Sequence, residues 1–264
     1  DQMFRILIDG DLLDLESRSG KAPGGYQCNY HEIRKPFIFM NAAGKQGDVE
    51  TLLHEGGHAF HSIEAREHQF IANRHAPIEF CEVASMAMEL LGNPYLDVFY
   101  DKETEVIRAR IEHLEGIISL FPWVAMIDSF QHWIYTHPGH TREQRISTWT
   151  SIMDRYATGQ MDWSGLEELR AHRWLRQSHL FGVPFYYVEY AIAQLGALQV
   201  WRNHRQDPDR AIQQYRAGLS LGNTRSLPEL FAATGIQFDF SRDNLEELIS
   251  MVSEEITILE NSIS

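Results

Sequence analysis

Apolar residues recur at helical spacing along most of the chain, which predicts a mainly α protein. The clearest segments are 48–66, 77–91, 95–136, 141–157, 163–176, 185–204, 208–218 and 241–260. Asp48 is placed to cap the first of these. Gly92-Asn93-Pro94 stops the second, and Pro122 predicts a kink in the third. Residues 11–19 read as a short helix ending in the loop Gly20–Gly25. The run Phe37–Asn41 lies between Pro36 and a glycine loop, and reads as a strand, the only one of note. No repeat, low-complexity linker or domain boundary stands out, so residues 1–264 are expected to form a single domain.

Composition narrows the partners. With 264 residues, 44% of them hydrophobic, the chain can bury a sizeable core. Lys+Arg is 23 and Asp+Glu is 37, a net charge of −14, which argues against nucleic acid and against an anionic membrane surface. No run approaches the ~20 apolar residues of a membrane span. Cys28 and Cys81 cannot make a disulfide framework, and no signal peptide is visible among the charged residues of the first twenty. A reducing, cytoplasmic location is the expectation. The chain starts without Met inside the apolar stretch Met3–Ile8, which suggests truncation or processing.

The segment His54-Glu55-Gly56-Gly57-His58 carries the most chemistry. Two histidines at i and i+4 share a helix face and can meet one cation. The Glu between them can polarise a water on that cation. Chance gives about 0.05 such matches at this His and Glu content. Two glycines in a helix cost about 1 kcal/mol each against Ala, so close approach of a backbone or a substrate is expected there. Zinc needs a third protein ligand and an open position for water. Glu79 and Glu82 are the candidates, on an otherwise apolar helix where a carboxylate is costly unless paired or bound to metal. Glu89 shares a face with Glu82 and suits a supporting partner. His61 reads as a supporting or packing residue, since a fourth protein ligand would close the site. The spacing of His68, His75, His113, His132, His137, His140, His172 and His204 identifies no partner.

A second constellation is His179-Leu-Phe-Gly-Val-Pro-Phe-Tyr186-Tyr187-Val-Glu-Tyr190. It reads either as aromatic core packing or as a set of donors for an oxyanion.

The stretches "KAPGGYQ", "PFIFMNAAGKQGDVETLLHEGGHAFHS", "EFCEVASMAMELL" and "SHLFGVPFYYVEYAIAQLGALQVW" resemble the oligoendopeptidase F and thimet oligopeptidase family of zinc peptidases, most closely the oligoendopeptidase F branch. The resemblance covers residues 21–201 and implies a mainly α, zincin-like catalytic domain of gluzincin type, with a very small β component near 37–41. It implies one Zn2+ per chain on His54, His58 and Glu82, which decides against Glu79. It makes Glu55 the general base and Glu89 the support of a zinc ligand. His179 and Tyr190 would stabilise the transition state, with Tyr186 or Tyr187 as the inner tyrosine. The strand Phe37–Asn41 would pair with the substrate backbone. The implied activity is zinc-dependent endopeptidase cleavage of short peptides. Family members are longer, and the N-terminal half that walls their channel is absent here. The rival reading is therefore a non-catalytic or vestigial metal-binding, peptide-binding fragment, inactive without that half. The oligomeric state is left open.

Overall fold

The computed structural model describes residues 2–263 and is mainly helical. The chain divides into two compact units, one reaching to Leu114 and resuming at Ile192, the other covering Glu115–Ala191.

The first unit opens with α1 (Gln2–Asp9) and a three-stranded sheet of β1 (Leu13–Glu16), β2 (Tyr26–Tyr30) and β3 (Lys35–Ala42). The order is β1-β3-β2, with β1 parallel and β2 antiparallel to β3. Two expectations are corrected here. Residues 11–19 are not a helix: Asp11 sits at φ 52, and Leu13 and Leu15 alternate with Asp14 and Glu16, a period-2 pattern whose apolar side packs with Ile38 and Met40. The strand at 37–41 is one of three. It also lies between the other two strands, with β2 pairing along it only as far as Phe39 and β1 covering Ile38–Ala42 on the other side. The Lys21 side chain ties the loop before β2 to β1, donating to the Asp14 carboxylate and to the Asp14 and Glu16 carbonyls at 2.7–3.0 Å.

Helix α2 (Gln46–Ala65) packs Ala59, Leu52 and Phe60 on the sheet. Its N-cap is Lys45, and Asp48 stands at N3, where its carboxylate accepts from the Ala43 and Lys45 N–H groups at 2.8 Å. Asp48 thus supplies the returning half of a capping box rather than the cap itself. Helix α3 (Ile78–Gly92) is almost wholly buried, with Phe80, Val83, Ala84, Ala87 and Leu90 at 0% exposure. Each of its large apolar side chains contributes about 1.5–3 kcal/mol by leaving water. A Cβ at Gly57 would lie 2.6 Å from the Ala84 carbonyl oxygen and from Ser85 Cα, so this glycine lets α2 and α3 approach closely. At Gly56 a Cβ would meet nothing within 4 Å.

After a 3-10 turn at Asn93–Val98, α4 (Glu103–Thr136) begins in the first unit and runs through Pro122 into the second. There α5 (Arg142–Arg155), the short α6 (Glu167–Ala171) and α7 (His179–Gly182) surround a core of Phe130, Trp149, Trp174, Ile127, Ile152 and Met153. The expected helix over 163–176 is broken into α6 and a 3-10 turn at Arg173–Arg176. Helix α8 (Val188–Gln206) starts later than expected because Phe185 adopts φ 62, outside the helical region. The first unit resumes within α8 and adds α9 (Pro208–Ser220), α10 (Leu227–Ala233) and α11 (Arg242–Ser262). The buried Tyr215 hydroxyl on α9 donates to the Ala84 carbonyl at 2.6 Å, which buttresses α3.

Candidate metal centre and a tyrosine-rich cluster

Helical spacing on α2 and one carboxylate from α3 bring three ligand atoms together. His54 Nε2 lies 3.3 Å and His58 Nε2 3.6 Å from Glu82 Oε2. The two imidazoles stand nearly perpendicular, with centroids 4.8 Å apart. Among the described residues this is the one group of three such side chains able to hold a metal ion. Ligands at about 2.1 Å around a tetrahedral ion sit about 3.4 Å from one another, so the spacing suits zinc. Glu79, in the first turn of α3, is outside the group.

The protons sharpen the fit. Asn93 Nδ2 lies 3.0 Å from His113 Nδ1, and His113 Nε2 lies 2.9 Å from Glu89 Oε2. The other Glu89 oxygen is 2.6 Å from His54 Nδ1. With the Asn93 amide donating, His113 carries its proton on Nε2 and gives it to Glu89. Glu89 then accepts from both histidines, so His54 carries a proton on Nδ1 and turns a lone pair on Nε2 toward Glu82. That leaves nitrogen and carboxylate lone pairs facing one another, which only a cation or a proton can reconcile. With a proton between Nε2 and Glu82, burial still disfavours charge on His54, yet the hydrogen bonds to Glu82 and Glu89 outweigh it and push the ring up to about 10. Burial holds His58 down, to about 4. Burial also opposes ionisation of Glu82 and Glu89, but hydrogen bonds from His54, joined by Ser85 for Glu82 and His113 for Glu89, hold both below the usual carboxylate range. The set attracts positive charge, as a metal site must.

Glu55 is 7% exposed, one residue after His54 and three before His58. Burial raises its pKa, moderated by His54 and by a hydrogen bond from the Gln27 backbone N–H of β2. His61 is buried edge-on against Phe80 and holds no place in the ligand group.

In the second unit, His179, Tyr186, Tyr187 and Tyr190 form one aromatic cluster, with ring centroids 5.2–5.6 Å apart. His179 Nε2 is 3.3 Å from the Tyr190 hydroxyl. Trp123 Nε1 donates to Gln177 Oε1 at 3.0 Å, and Gln177 Nε2 lies 2.6 Å from His179 Nδ1. An indole N–H can only donate. It therefore fixes the Gln177 amide with its NH2 toward His179, so Nδ1 accepts and Nε2 carries the proton. Tyr187 packs on the tryptophan-rich core, and burial raises its hydroxyl. Tyr186 stacks on His179 instead.

The model of peptidase family M3 matches residues 5–249. The chain belongs to peptidase family M3. It is 26% identical over 263 residues to oligopeptidase PepF of Bacillus subtilis, covering 94% of this chain and 39% of that protein. To an oligoendopeptidase F homolog of Borreliella burgdorferi it is 23% identical over 241 residues, with 88% and 40% covered. A solved structure of PZ peptidase A with an inhibitor superposes with a TM-score of 0.88 at 30% identity, covering 97% of this chain and 45% of that one. This M3 chain thus spans about two fifths of the length of the curated relatives it matches.

Three residues in this M3 chain escaped sequence reading. His113, read as partnerless, is the far end of the Glu89 relay. Gln177 sets the His179 tautomer from two positions upstream. Gln27 restrains Glu55 through its backbone N–H, which no side-chain pattern can announce.

Proposed function

We propose that this chain is a zinc-dependent endopeptidase centre that hydrolyses peptide bonds in short peptides, with residues 1–264 acting as one catalytic domain. The observation that carries the reading is the convergence of His54 Nε2, His58 Nε2 and Glu82 Oε2 with the His54 tautomer locked by Glu89. These three residues would hold one zinc ion. Zinc bound there supplies Lewis acidity, acidifying water and polarising a carbonyl. Glu55, whose burial favours the protonated form, takes the proton from the attacking water and passes it to the leaving amide nitrogen. His179 Nε2–H and the Tyr190 hydroxyl donate to the oxygen that gains charge, with Tyr186 beside them and Tyr187 holding the cluster on its core. An extended peptide pairs with the Phe37–Asn41 strand at Met40 and Asn41, beyond the last residue that β2 covers. His61 supports α2 against α3. No helix among the described residues is long and apolar enough to cross a membrane, and the cytoplasm is the compartment this reading assigns.

Glu55→Gln tests it. The variant keeps its zinc and loses about 10²–10⁴-fold in cleavage of a quenched fluorescent oligopeptide. Wild-type cleavage by that variant would end the proposed mechanism. Zinc and peptide binding by the unaltered chain, with no turnover that a chelator abolishes, would favour the non-catalytic reading instead.

A further inference from the structure

Beside the ligand group the first unit holds a cavity of about 140 Å³. Asn29, His61, Ser62 and Arg74 line it, and His58 and Glu82 form the wall it shares with the metal centre. The hydrolytic steps above use none of the first four. His61 is 3% exposed, and its Nε2 has no hydrogen-bond partner among the described residues. An orphaned buried nitrogen costs free energy, and His61 carries it in the wall of this cavity.

The walls state what a group held there would carry. Arg74 donates to the carbonyls of His68, Gln69 and His31 at 2.7, 3.1 and 3.2 Å. These bonds hold the guanidinium still without neutralising it. No carboxylate pairs with it among the described residues, although the whole chain carries a net charge of −14. Three of its five N–H groups are used, which leaves two. Gln27 Nε2 donates to the Cys28 carbonyl and to Asn29 Oδ1, both at 2.8 Å, and lies 3.5 Å from Ser62 Oγ. The Asn29 amide nitrogen and the Ser62 hydroxyl proton are thereby left to donate elsewhere. The one carboxylate on the walls, Glu82, is committed to His54, His58 and Ser85. The cavity therefore offers positive charge and donors, in a volume that admits only a small group.

We propose that this cavity is a side pocket of the peptide site that takes a carboxylate of the bound peptide, from an acidic side chain or from the C terminus. The proposal rests on the peptide binding in the peptidase reading, not on turnover. Arg74 supplies the charge, and Asn29 and Ser62 supply neutral donors.

The test is binding by the zinc-loaded Glu55→Gln chain, so that chemistry does not intervene. Matched peptides carry Asp or Glu against Asn or Gln at each position, with the C terminus free or amidated. The expected result is about tenfold tighter binding of one carboxylate-bearing set. A side-chain effect and a C-terminal effect appear in different peptide pairs, which identifies the source. Arg74→Gln removes the preference. Asn29→Asp preserves the bond from Gln27, leaves the Arg74 tethers alone, and cancels or inverts the preference through like charge. Equal affinity for acid and amide throughout would mean that the cavity holds water only, and would overturn the proposal while leaving the peptidase reading intact. Acid-selective binding together with wild-type turnover of nothing would end the peptidase reading and keep the pocket. Binding of no peptide would overturn both.

Discussion

The two units each hold a histidine by its Nδ1 and present its Nε2, and they do so to opposite ends. In the first, Glu89 accepts from His54 Nδ1, so Nε2 offers a lone pair. In the second, Gln177 donates to His179 Nδ1, so Nε2 offers a proton. A metal ligand needs the lone pair, and a group that stabilises an oxyanion needs the proton. A single choice behind the ring, carboxylate or amide, separates the two proposed roles. The supports differ as well. His54 and Glu82 ride on helices locked by close backbone packing at Gly57. His179 rides on the four-residue α7, ahead of Pro184 and a left-handed Phe185, and depends on the indole–amide chain for its setting.

The comparison can be broken most severely at Glu89. Glu89→Leu strands the His54 and His113 protons and frees the ring to choose its tautomer. Zinc affinity should fall about 10–100-fold in a competitive chelator titration. Unchanged affinity would mean that the tautomer does not matter. The difference in supports is sharpened by two glycines. Gly57→Ala drives a Cβ into the Ala84 carbonyl and should cost about 1–3 kcal/mol in urea unfolding. Gly182→Ala, on α7, meets nothing within 4 Å, and its stability should stay within about 0.5 kcal/mol of the parent chain. Equal losses would erase the contrast. Of the changes that loosen a histidine, the smaller effect is expected at Gln177. Gln177→Leu frees the His179 tautomer and should lower kcat severalfold, to about tenfold, with little change in KM. Gln177→Glu should do the same by drawing the proton to Nδ1. A change confined to KM would place Gln177 in substrate binding instead.

What the sequence made legible follows the range of the interactions. His54, Glu55 and His58 are set by helical period alone, and the expected close approach at the glycines is met at Gly57. Choosing Glu82 over Glu79 took the family resemblance, because both sit on α3 and only the crossing of two helices separates them. His113 lies 24 positions from Glu89 on another helix, and nothing in its surroundings signals the pairing. The strand at Leu13–Glu16 is only four residues long and owes its state to parallel pairing with β3, a tertiary effect that overrides the helical reading. The central place of β3 is a matter of topology. β2, an outer strand of the sheet, carries a polar Gln-Cys-Asn run.

The most direct measurement is the zinc content and affinity of the purified chain beside its Glu82→Gln and Glu79→Gln variants. The prediction is one zinc per chain in the parent and in Glu79→Gln, with stoichiometric binding lost in Glu82→Gln. One zinc held at parental affinity by Glu82→Gln, or lost from Glu79→Gln, would contradict the assignment of the centre.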